Sequence, residues 1–328
     1  MQHWISKRIF WATHIFLLGS IFACEKKADF LYQFPQTTTV EREHKLKEFQ
    51  GTRDLDILWV IDNSYSMEQF QNDVIQNTDQ FIDGLTASSP LHWRAGMIST
   101  DESDDPYVGL AAGDLLDYAS VNAADRFKSA VRRLGLYGDT VEKTFDPVIK
   151  ALRNNPQFLR PGAFLAIILV SDAPEQSRMS AQTFMTSLQG ITGDLKRVLF
   201  YGFVAPRQWC TWTGDTPWDW SGSPFEELLT KVSGSAYKLC DPQFGKNLTT
   251  LGNNLSKSVS VPRIYLDQRP IVATLKVLYK GQEIPSGTKG FWTYNFALNA
   301  IELSDMSFAP GDNESVKVHY EVDDGIER

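Results

Sequence analysis

Residues 57–67, ILWVIDNSYSM, carry an apolar run that ends on Asp62 and is followed by hydroxyls at Ser64 and Ser66. One carboxylate and two alternating hydroxyls are hard oxygen donors, with no nitrogen or sulfur among them. Such a set suits magnesium or manganese before zinc. A second apolar run, AFLAIILVSD at 163–172, also ends on an aspartate, Asp172. The five histidines are scattered and no CxxC pair occurs, so nothing points to a zinc cluster. The competing reading of Ser64 and Ser66 is helix capping.

The elements that would position these groups follow from periodicity. LDILWVID is an uninterrupted apolar strand of the kind buried on both faces. Met67, Phe70, Val74, Phe81 and Leu85 recur at helical spacing after it. Further strands are read at 92–100, 163–172, 197–205 and 235–240, with helical patterns between them and a closing helix over FGKNLTTLGNNLSKSV. Strand–helix alternation implies an α/β domain with a doubly wound, mostly parallel sheet. In such a sheet the strand C-termini share one edge, so Asp62 and Asp172 can meet there. After Pro262 the period changes to two, at Ile271, Ala273, Leu275, Val277 and Tyr279 and again at Val316, Val318, Tyr320 and Val322. This predicts a small antiparallel, β-sandwich-like domain over 262–328.

The N-terminus has basic Lys7 and Arg8, an apolar run at 9–23, and then Cys24. The run is too short to span a bilayer comfortably, and LLGSIFAC resembles the lipobox of bacterial lipoprotein signal peptides. That resemblance implies removal of 1–23, lipid on Cys24, and a cell-envelope location, on the outer membrane, facing either the periplasm or the surface. Residues 24–50 are polar and read as a tether with a short docking strand near Val40. The α/β domain then takes 51–260. The chain has 328 residues and a net charge of −8, or −10 without Lys7 and Arg8. Nucleic acid is not expected as a partner, because no basic excess exists to displace phosphate counterions. Cys210 and Cys240 remain after Cys24, and in an exported chain one spare pair points to one disulfide, with two free thiols as the alternative.

Asp62-Asn63-Ser64-Tyr65-Ser66, then Thr140 in YGDTVEK, then Asp172 in LVSDAPEQS, resembles the metal-ion-dependent adhesion site (MIDAS) of the von Willebrand factor A (VWA) domain. The resemblance covers about 51–258 and extends to bacterial lipoproteins through KLCDPQF and GFWTYNFALNAIEL. It implies that Ser64, Ser66 and Thr140 bind the ion directly. Asp62 and Asp172 would act wholly or partly through water, and a position would stay open for a partner's carboxylate. Thr140 can instead cap the helix that follows it. The family's strand order also makes the strands bearing Cys210 and Cys240 neighbours, which brings the two cysteines within bonding reach.

Four tryptophans crowd residues 209–220, on the same sheet edge. Trp212, Trp218 and Trp220 are expected to contact ligand or to pack the loop on itself. The acidic run TDESDDP at 100–106 is read as a solvated turn, with a second cation as the lesser reading. The function expected is adhesin-like, metal-dependent binding of a protein or cell-surface ligand. The alternatives are a scaffold of an envelope complex or a metal-dependent hydrolase. A hydrolase needs a general base, for which Asp139 and Glu175 qualify by position only, so no enzyme activity is expected.

Overall fold

The computed structural model describes residues 37–46, 54–87, 91–101, 110, 116–138, 141–207, 210, 219–287, 289–296, 298–309 and 313–323. Strand β1 (Thr37–Lys45) precedes the α/β domain in sequence but pairs elsewhere. Strands β2 (Asp54–Ile61), β3 (His92–Ser99), β4 (Leu116–Asp117), β5 (Phe164–Ser171), β6 (Val198–Val204) and β7 (Ser233–Lys238) form one sheet in the order β4-β3-β2-β5-β6-β7. All neighbours are parallel except β4, a two-residue edge strand antiparallel to β3. Counted within this sheet, the order is 3-2-1-4-5-6, and it reverses direction between β2 and β5.

Helices cover both faces, as strand–helix alternation requires. Leu55, Ile57, Trp59 and Ile61 of β2 face one core, with helices α1 (Glu68–Gln76), α2 (Thr78–Thr86), α3 (Ala123–Leu134) and a late helix at 244–260. Leu58 and Val60 face the other, with α4 (Phe145–Asn154), α5 (Ala181–Thr192) and α6 (Pro224–Lys231). The late helix is α7 (Phe244–Ser260). Trp59 anchors the first core, edge-on to Phe81 at 5.1 Å and to Phe127 at 5.3 Å. The single helical spacing read from Met67 to Leu85 divides at Asn77 into α1 and α2.

The C-terminal part holds β8 (Arg263–Tyr265), β9 (Lys276–Tyr279), β10 (Gln282–Glu283), β11 (Trp292–Asn295), β12 (Ala300–Leu303) and β13 (Ser315–Asp323). These make two antiparallel sheets, β1-β13-β9-β10 and β11-β12-β8, around one core that includes Val277, Ile301, Val316 and Val318. The docking strand expected near Val40 is thus nine residues long and an integral edge of this sheet, paired from Thr37↔Asp323 to Lys45↔Ser315. The alternation read across 271–279 is strand only from Lys276. Before it, residues 272–274 form a 3-10 turn that leaves Val272 exposed. The turn is fixed on β13, where Ile271 N donates to Glu321 O and Glu321 N donates to the Thr274 hydroxyl. No described helix is long and apolar enough to cross a membrane.

Candidate metal site

β2 and β5 lie side by side at the point where strand order reverses, and in open α/β sheets this point, beyond the strand C-termini, is where a ligand crevice forms. Asp62 follows β2 directly and is fully buried. Its backbone N–H still donates to Val170 O of β5, at 2.9 Å, so the strand carries the carboxylate to the sheet edge without a break. One carboxylate oxygen accepts the Ser64 N–H at 2.8 Å, and the other accepts the Ser171 hydroxyl at 2.7 Å. The first bond curls the chain so that Ser64 and Ser66 turn the same way. Their hydroxyl oxygens stand 3.0 Å apart, with Ser64 half-buried and Ser66 exposed. Ser64 stands at the N-cap position of the 3-10 turn over 65–67 but makes no side-chain capping bond, and the N-cap of α1 is Met67 rather than Ser66.

Two further loops close on this one. Gln71 donates through Nε2 to Asp62 O and to Gly135 O, each at 3.0 Å. Gly138 N donates to Asn63 O at 2.9 Å, and a Cβ on Gly138 would lie 2.3 Å from the Asn63 side-chain oxygen, so the loops touch at a glycine. From β5, Asp172 is half-buried beside Ser171. Asp62, Ser64 and Ser66 thus lie together at this sheet edge, and Asp172 follows β5 beside Ser171, the residue that bonds Asp62. Thr140 lies outside the described residues, as do Asp139, Trp212, Trp218, Cys24 and most of the acidic run at 100–106.

Glu142 enters the same site, and the motif contains no place for it. It is only 5% exposed, and it accepts the hydroxyl of fully buried Thr100. Burial, and then the charge on Asp62, push its carboxyl up to about 8, with Asp172 adding to the rise. Burial also raises Asp62, against the bonds from Ser64 and Ser171. Burial is thus the main cause of the rise in both acids, and contact between the two carboxyl groups adds to it for Glu142. Its one signal in the sequence is an acid two residues past Thr140, in the loop before α4.

The donor set fits a hard cation: a hydroxyl pair facing outward, a buried carboxylate beneath it, and no nitrogen or sulfur. No group of three or more histidine, cysteine, aspartate or glutamate side chains placed to hold an ion occurs among the described residues. Hydroxyls must therefore supply part of any shell here. The strand order, the antiparallel edge strand and the Asp-x-Ser-x-Ser turn at the β2/β5 crevice coincide in one domain. This domain has a VWA-like fold.

No family model matches the chain, and no curated protein matches it. Solved structures similar to it include a von Willebrand factor type A protein from Catenulispora acidiphila, at 13% identity and a TM-score of 0.46, covering 91% of this chain and 68% of that one. The open conformation of the pilus adhesin SpaC from Lactobacillus rhamnosus GG is similar at 12% identity and a TM-score of 0.38, over 89% of this chain and 42% of the adhesin. Proximal thread matrix protein 1 from the mussel byssus, with a zinc occupied MIDAS motif, is similar at 13% identity and a TM-score of 0.38, over 64% of this chain and 48% of that one. The chain spans less than half the length of the last two. These likenesses assign no residue of the site.

Cys210 and Cys240 are bonded, with Cα atoms 5.8 Å apart. Cys210 is buried in the first core, so the bond ties the chain after β6 to the turn after β7. Trp220 is half-buried and packs against the α4–α6 core just before α6. Of the two roles expected for it, the described contacts supply the packing one.

Proposed function

We propose that the chain is a lipid-anchored envelope protein whose VWA-like domain binds a protein or cell-surface ligand, adhesin-like, through a divalent ion. The ion is magnesium or manganese, held by Ser64 and Ser66 with Asp62, Asp172 and Thr140. The observation that carries this reading is the pair of hydroxyl oxygens 3.0 Å apart above the buried Asp62 carboxylate. When bound, the ion supplies a Lewis-acidic position for an oxygen ligand of the partner. Ser64 and Ser66 supply neutral donors, and Ser171 and the Ser64 N–H hold Asp62 in place.

Binding rather than catalysis is favoured by the state of the nearby acids. Both Glu175 oxygens accept backbone N–H groups, from Ser177 at 2.6 Å and Thr144 at 3.0 Å, so Glu175 is a structural acceptor rather than a poised base. Envelope anchoring rests on the lipobox ending at Cys24.

The test is retention of whole cells or envelope fragments by the immobilised protein, in magnesium or manganese and then in EDTA. Retention is expected with the ion and lost with the chelator. Retention indifferent to EDTA contradicts metal-dependent binding. In the producing cell, Cys24→Ala is expected to leave the protein soluble or unprocessed. A cleaved variant still in the membrane fraction contradicts the anchor.

A further inference from the structure

Two glutamates are drawn into the loops around the crevice, and they differ in one respect. Glu175 has a backbone N–H on each oxygen. Glu142 has the Thr100 hydroxyl on Oε2, while Oε1 is buried with no hydrogen-bond partner among the described residues. A buried carboxylate oxygen left unpaired is costly, and a neighbouring acid makes it more so. The neighbours whose charges act on Glu142 are Asp62 and Asp172, both acids, and the Glu142 and Asp62 carboxyl groups are themselves in hydrogen-bonding contact, so the nearest group to the buried oxygen is another acid rather than a cation.

This placement is built by the fold rather than left to a loop. The backbone at Glu142 is held from two sides: Gln176 N donates to Glu142 O and Lys143 N donates to Thr100 O, both at 3.1 Å. Thr100 is itself fully buried at the end of β3. Glu142 is thus buried next to Asp62, while Ser64 is half-buried and Ser66 exposed.

We propose that Glu142 is itself a ligand of the divalent ion, giving it Oε1 as an anionic oxygen beneath the serine hydroxyls. This rests on the metal-site reading above and adds to it a residue that the motif does not contain. With Glu142 added to Asp62, and with Asp172 acting through water as the metal-site reading has it, the carboxylate charge around the ion at least equals the ion's own. An external ligand then meets a centre with no net positive charge, so affinity for a partner depends less on a partner carboxylate than the motif alone implies.

The experiment is calorimetric titration of manganese and magnesium into the detergent-solubilised full chain, with thermal melts in EDTA and in manganese. The forms compared are wild type, Glu142→Gln, Glu175→Gln and Ser64→Ala/Ser66→Ala. Glu142→Gln is expected to weaken manganese binding by about tenfold or more. It is also expected to melt in EDTA no lower than wild type, because an acid beside Asp62 has been neutralised, and to lose most of the rise in melting temperature on adding manganese. Glu175→Gln should bind manganese as wild type does. A Glu142→Gln affinity equal to wild type, while the double serine variant binds nothing, overturns the role of Glu142 and leaves the metal site standing. No binding by wild type overturns both. Should Glu142→Gln fail to fold, Glu142→Asp, which retracts the oxygen by one methylene, must show the same loss of affinity; unchanged affinity there overturns the proposal.

Discussion

Ser171 donates its hydroxyl to the Asp62 carboxylate at 2.7 Å, joining residues 109 apart in sequence across the ends of two adjacent parallel strands. The bond fixes the carboxylate that orders the Ser64–Ser66 turn. Ser171→Ala removes one of its partners while the group stays buried, and is expected to cost about 1–3 kcal/mol. Urea unfolding checks the cost. Metal affinity should fall without vanishing, because the Ser64 N–H still holds the other oxygen.

At the opposite end of β2, Asp56 is 1% exposed and accepts Arg160 N at 2.7 Å and Nε at 2.8 Å. Arg160 also donates to His92 O at 2.6 Å, so one guanidinium clasps the starts of β2 and β3. Asp56→Ala leaves that cation largely buried without its main partner and is expected to destabilise the domain by about 3–5 kcal/mol. The melting temperature should drop, and metal affinity of the folded fraction should stay unchanged, since the site is at the other end of the strand.

Helices α2 and α7 approach through glycines. A Cβ on Gly252 would lie 2.6 Å from Phe81 O, and one on Gly84 would lie 2.5 Å from Thr249 O. The obstructing atoms are backbone and cannot turn aside. Gly252→Ala is expected to cost about 1–3 kcal/mol through overpacking, as measured by denaturant unfolding.

The Cys210–Cys240 bond closes a loop of 30 residues. Loop-entropy arithmetic gives about 3–4 kcal/mol for a loop of this size. The double serine variant should unfold at correspondingly lower denaturant. Two free thiols by mass spectrometry, in protein recovered from an oxidising compartment, would contradict the bond.

Legibility in the sequence followed the strength of the local signal. Asp62 and Asp172 were visible because each ends an uninterrupted apolar strand, and parallel topology brings such ends together. Ser64 and Ser66 were visible by their spacing. Glu142 was not, because a loop has no period and its role depends on Thr100 and Asp62 closing around it. β1 was legible only as a docking strand near Val40. An edge strand with most of its side chains exposed carries no two-residue alternation, and its length is set by β13. β4, at two residues, is too short to carry a pattern at all. At 271–279 the alternation was real but the backbone was not extended, because contacts with β13 impose a turn that side-chain pattern does not encode.

One titration tests the metal site most directly: manganese or magnesium into wild type and into Ser64→Ala/Ser66→Ala, with circular dichroism showing both folded. The two hydroxyls are half-buried or exposed, and their loss leaves both cores intact. One ion per chain is expected to bind wild type, and none the variant. Wild type that binds no ion, or a variant that binds as wild type does, would contradict the assignment of this crevice as a metal site.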